Sequence, residues 1–163
     1  VKYRESFRPF APSILSDDLS DWFEMNSVSP YMLMVANVRK EKCIPMSETD
    51  EKLFGIDKLN VKRSSVPAIT HVDYSARIQT VDEQINYKYA KLLKKFKEKT
   101  DCPMIVNTSF NIRGEPIVNT PEDAFRCFMG TNLDRLAIGN CYLLKENQNL
   151  DLIKNYKSKF KLD

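Results

Sequence analysis

The stretch MIVNTSFNIRGEPIV, residues Met104–Val118, decides how the rest of the chain is read. An apolar run, Met104 to Val106, leads straight into Asn107, Thr108, Ser109 and Asn111, followed by Arg113 and Gly114. A short apolar run that ends in a polar cluster is the pattern of a buried strand opening onto a binding site. In open α/β sheets, ligands sit beyond the carboxyl ends of strands. Amide, hydroxyl and guanidinium groups suit phosphate oxygens and base edges, and Gly114 permits a tight turn or a close backbone approach. The competing account is a turn that satisfies its own backbone through Asn and Ser side chains. With four glycines in the chain, both the Walker loop and the dinucleotide fingerprint are absent.

Working outward, the segment from Asp82 to Thr100 reads as a helix, with Ile85, Tyr89, Leu92, Leu93 and Phe96 at helical spacing and lysines opposite. Asp101 to Pro103 ends it, and the strand at Met104 follows. Thr120, Pro121 and Glu122-Asp123 supply a cap, an N1 proline and an acidic first turn for a helix running to about Gly130. The run RLAIGNCYLLK is expected as two short strands or a hairpin turning at Gly139-Asn140. Upstream, Ser16 is expected to cap a short helix carrying Leu19, Trp22 and Phe23. Tyr31 to Val38, nearly all apolar, is expected as a buried strand. Pro67 to Val72 and Ala76 to Val81 are further strand candidates. The polar segment from about Lys40 to Ser65 has no assigned role, and the lysine-rich tail after Glu146 is expected as a solvated helix.

These signals add up to an α/β (α+β) layer architecture. A chain of 163 residues with 42% hydrophobic content has material for one core. The net charge of +3 argues weakly for a polyanion partner and not at all for a membrane. No apolar run approaches the roughly 20 residues of a membrane span. Cys43, Cys102, Cys127 and Cys141 show no C-x-x-C spacing and, with His71 as the one histidine, make a metal site improbable. Buried reduced thiols in a cytoplasmic protein are the expectation. The chain opens at Val1 inside a dense polar segment, as expected of a piece of something longer.

Two further clusters carry chemistry. Lys2, Arg4 and Arg8 fall at even spacing, so an extended backbone puts all three on one side. Such cations either share an anion, for which nucleotide phosphates are a common choice, or line a solvated edge. In THVDYSARIQT, Arg77 and Gln79 share one side of an extended segment. His71 is placed on the side away from Val72, either as a site residue or as a hydrogen-bonded structural histidine.

Three blocks, FRPFAPS, THVDYSARIQTV and NTSFNIRGEPIVNTPEDAFRCF, resemble the C-terminal domain of the O-carbamoyltransferases, which act on hydroxyls of nodulation factors, cephems and aminoglycosides. The resemblance covers about Lys2 to Leu144. It implies a YrdC-like domain over residues 1–145, an open twisted mixed sheet with a concave basic face, and a basic tail over 146–163. It also implies an upstream actin-like domain of the same polypeptide. The implied activity is condensation of carbamoyl phosphate with ATP, magnesium accompanying the nucleotide, to give carbamoyl-adenylate. The upstream domain then passes the carbamoyl group to an acceptor hydroxyl. The resemblance places Lys2, Arg8, Arg77 and Arg113 in catalytic roles. Nucleotide contacts are expected from Lys2, Arg4, Arg8, His71, Arg77, Gln79, Asn107, Thr108, Ser109, Asn111 and Arg113. No membrane or nucleic-acid partner is implied, although a nucleotide- or RNA-binding module without chemistry of its own is the alternative that the residues leave open.

Overall fold

The computed structural model describes residues 2, 8–112 and 114–152. They fall into two compact units, Ser6–Thr108 and a second that joins Val1–Glu5 to Ser109–Asp163.

The first unit is built on β1 (Ala11–Leu15), whose five residues are all buried. The chain then forms α1 (Leu19–Trp22), β2 (Met34–Asn37), the short helices α2 (Glu48–Glu51) and α3 (Gly55–Leu59), β3 (Ser75–Val81), α4 (Tyr87–Thr100) and β4 (Met104–Asn107). The sheet order is β2-β3-β1-β4. β1 runs parallel to β3 with Ser13 opposite Gln79, and antiparallel to β4 with Ala11 opposite Asn107. β2 is antiparallel to β3, so the sheet is mixed.

Side chains alternate across each strand. Ile14, Ala76, Ile78 and Met104 therefore meet on one face, where they pack with Leu19, Phe23, Met25, Val38 and Ile69. The other face is split. Leu15 and Val81, with the partly buried Ile105, pack under Ala90 and Leu93 of α4. The same face continues through Ser13, Gln79, Arg77 and Asn107, which places a polar row beside an apolar one.

In the second unit, α5 (Pro121–Gly130) starts with a reciprocal cap. The Thr120 side chain accepts the Asp123 N–H, and the Asp123 carboxylate accepts the Thr120 N–H. It buries Ala124, Phe128 and Met129 with Leu136, against partly buried Phe110, Val118, Leu133 and Leu143. The hairpin β5 (Arg135–Ile138) and β6 (Cys141–Leu144) turns at Gly139, whose φ of +56° is open to glycine. Lys145 closes the other end of α5. Its ammonium donates to the carbonyls of Phe128 and Thr131, and burial holds its pKa below the usual lysine value.

Several sequence expectations need correction. Tyr31 to Val38 is not a buried strand. Only Met34–Asn37 is extended, it lies at the sheet edge, and Tyr31 and Leu33 are 81% and 80% exposed. Apolar composition specifies that a run seeks cover, but not what covers it. Pro67–Ile69 is a 3-10 turn rather than a strand, since proline fixes φ and removes a donor. A turn with Tyr74 at φ 66° follows, so His71 lies outside any strand. The long helix begins at Tyr87 and not at Asp82. Asp82 accepts the Gln84 N–H in a local turn, Asn86 caps the helix, and Ile85 stays exposed. Ser16 caps nothing, and its buried hydroxyl has no hydrogen-bond partner among the described residues. Of the cysteines only Cys127 is buried, whereas Cys141 is exposed. After Glu146 the described chain forms 3-10 turns, and the remainder of the tail lies outside the described residues.

Candidate functional site

The loop after β4 was expected to be either a ligand site or a self-satisfied turn. It is tightly organised. Asn111 donates its side-chain amide to the carbonyls of Ile112 (3.1 Å) and Glu115 (2.8 Å), and the Glu115 carboxylate accepts the Ile112 N–H at 3.2 Å. Gly114 makes the turn at φ 79°, a left-handed value that suits glycine. The Ser109 hydroxyl donates to Asn111 Oδ1 at 2.7 Å.

Onto this loop comes Lys2 from the other end of the sequence. Its ammonium donates to Ser109 Oγ (2.8 Å), Asn111 Oδ1 (2.8 Å) and the Asn111 carbonyl (3.0 Å). These three oxygens are neutral and orient the ammonium. A lysine, a hydroxyl and an amide thus share one partly exposed spot, the hydroxyl and amide donors turned onto the loop itself. Beneath it the buried Cys127 thiol has its pKa pushed up to about 11, first by burial and then by the Glu115 carboxylate. That keeps the thiol protonated and unreactive at neutral pH. Glu115 and Cys127 were not anticipated from the sequence, because nothing in their spacing marks them as partners of the loop.

Within the first unit, the polar row on β3 divides into two kinds of residue. Gln79 is committed to structure: its Oε1 accepts from Ser13 Oγ and Asn107 Nδ2, both at 2.6 Å, and its amide donates to the Pro30 carbonyl at 3.1 Å. Gln79 and Asn107, both expected to contact a nucleotide, are brought together and hold each other. Ser13 was missed, although a lone serine inside the apolar run of β1 was a legible signal. Arg77, on the same face, is exposed and makes no hydrogen bond or ion pair with the described residues. Beside it, Ser75 is hydrogen-bonded to His71 Nδ1 at 2.9 Å and donates from Oγ to Asp73 at 2.7 Å. Those bonds from Ser75 hold the Asp73 carboxyl below its ordinary pKa. His71 is partly buried and held by its hydrogen bond to the buried Ser75.

Arg8 lies elsewhere in this unit, on a half-open cleft of about 470 Å³ whose walls include Phe10, Asn60, Lys62, Arg63 and Thr70. Thr108 is exposed. Arg4 and Arg113 lie outside the described residues. Among the described residues, no group of three His, Cys, Asp or Glu side chains is placed to hold a metal ion, and no helix is long and apolar enough to cross a membrane.

Comparison with known proteins completes the description. Residues 1–145 match the family model described as Carbamoyltransferase C-terminus. The chain is 55% identical to the uncharacterised protein sll1178 of Synechocystis, over 100% of this chain and 27% of the relative. It is 38% identical to nodulation protein NolNO of Sinorhizobium fredii, over 90% of the chain and 19% of the relative. Nodulation protein U of Rhizobium tropici is 32% identical, over 90% of the chain and 21% of that protein. The chain thus spans between about a fifth and a quarter of the length of these relatives.

Proposed function

The chain belongs to the carbamoyltransferase family, as its C-terminal region, and from that premise we propose that it activates the carbamoyl group. It binds ATP and carbamoyl phosphate: water takes the phosphoryl group off carbamoyl phosphate to release phosphate, and the resulting carbamate oxygen displaces pyrophosphate from the α-phosphate of ATP to give carbamoyl-adenylate. The remainder of a longer polypeptide then transfers the carbamoyl group to an acceptor hydroxyl. The observation that carries this reading is the Lys2–Ser109–Asn111 cluster. It is a lysine ammonium held by the hydroxyl, amide and carbonyl oxygens of one loop.

The chemistry requires no protein nucleophile. Charge moves onto phosphate oxygens as pyrophosphate departs, so rate comes from positioning and from fixed cations aimed at that charge. In this reading Lys2 supplies a point charge, and Ser109 and Asn111 orient it. Arg77 and Arg8, together with Arg113, supply forked donors for phosphate. Magnesium would arrive on the nucleotide's own phosphates.

The test is phosphate and pyrophosphate release by the full-length protein given carbamoyl phosphate and ATP. Ser109→Ala and Arg77→Ala should each lower kcat/KM by at least ~10-fold, the loss expected for one charge-assisted contact. Their melting temperatures should stay near that of the wild type, because both side chains are exposed. A wild-type protein that releases no pyrophosphate under these conditions refutes the reading.

A further inference from the structure

Arg63 is a buried charge without a counter-charge among the described residues. It is 5% exposed. One end of its guanidinium donates to the carbonyls of Leu59 (3.1 Å) and Val61 (3.0 Å), and the other to that of Lys58. Its Nε–H is buried with no hydrogen-bond partner, and no carboxylate among the described residues pairs with it. Carbonyls satisfy donors but leave the net charge standing, and buried arginines are ordinarily paired.

The surroundings of Arg63 indicate where the missing charge belongs. The residue lines the 470 Å³ cleft, whose other cations are Lys62 and Arg8 and which has no aspartate or glutamate among its described lining residues. Lys62 is exposed and makes no hydrogen bond or ion pair with the described residues. Phe10 and neighbouring prolines give the cleft an apolar wall. A cleft of this size lies within the range of small-molecule sites, and one with a cationic rim and an apolar wall suits a phosphorylated ligand.

We infer that this cleft is a binding site for the phosphate groups of an anionic ligand, with Lys62 and Arg63 as cations. The site gives a role to the polar segment between Lys40 and Ser65. The capped carbonyls at the end of α3 hold the Arg63 guanidinium in place, while Lys62 closes over the anion from the rim. That the ligand is a nucleotide rests on the proposed function; that it carries phosphate rests on the cleft alone.

Calorimetric titration of the full-length protein with ATP, with pyrophosphate and with inorganic phosphate separates the two. Lys62→Ala should weaken pyrophosphate and ATP at least ~10-fold, and Lys62→Glu should weaken them further. Lys88→Ala, an exposed lysine on α4, should leave both unchanged. If pyrophosphate binds in a Lys62-dependent way and ATP does not, the cleft stands and the nucleotide reading falls. If neither ATP nor pyrophosphate loses affinity in Lys62→Ala, the cleft is overturned and the proposed function is untouched. An equal loss in Lys62→Ala and Lys88→Ala would reduce the effect to general surface charge and overturn the site, as would a protein that binds none of the three.

Discussion

A lysine ammonium has three protons, and Lys2 directs its ammonium at three neutral oxygens of one loop. At the scale of single residues, the candidate site is made of such partial commitments. Gln79 and Asn107 are engaged with each other and with Ser13, whereas Arg77 points out without a described partner. Composition gave equal weight to Gln79, Asn107 and Arg77, because a sequence reports donors and acceptors but not which of them have already met. Cys127 offers a measurable consequence of burial. Its thiol ionises in the folded state near 11 against an ordinary 9.0, so between those values the folded state keeps a proton that the unfolded chain has released. The unfolded state then binds fewer protons, and stability falls as pH rises through that window. Denaturant unfolding at stepped pH should show wild type losing on the order of 2 kcal/mol relative to Cys127→Ala between pH 9.0 and about 11. A constant difference between the two proteins would contradict the burial-driven shift.

At the scale of elements, capping separates what was legible from what was not. Thr120 and Ser16 both precede an acidic turn, yet only Thr120 caps. The acid at the third position makes the difference. Asp123 returns a hydrogen bond to Thr120, as Asp50 does to Ser47, while the residue three after Ser16 is the buried Leu19. Thr120→Ala should therefore cost about 1 kcal/mol, and Ser16→Ala should be neutral or slightly stabilising, because it removes a buried hydroxyl without a described partner. Thermal unfolding of the two variants checks the contrast, which fails if Ser16→Ala is the more harmful. Strands were less legible than helices. The apolar run at β2 indicated extended structure but misassigned its surroundings. An edge strand buries one side against its neighbour, and the fate of the other depends on surfaces that no local pattern encodes.

At the scale of the whole molecule, mixed α/β layering and the family were both readable. Three blocks in fixed order, separated by long stretches of chain, are far more specific than any one of them. The role of the Lys40–Ser65 segment was not readable, because Arg63 declares itself only through burial and an absent counter-charge. Since relatives are roughly four to five times longer, residues 1–163 alone should not carbamoylate a hydroxyl acceptor, whereas the full-length protein should. Robust transfer by the short chain in a direct acceptor assay would overturn the division of labour proposed above. The discontinuous second unit, in which Lys2 joins a loop 107 positions away, has a consequence in time. A ribosome delivers Lys2 early and Ser109 late. The first unit has its whole sequence in hand while the lysine still waits for its oxygens. The charged spot at the heart of the candidate site thus cannot form until synthesis has passed Asn111, and a stall just before that point leaves Lys2 without its loop.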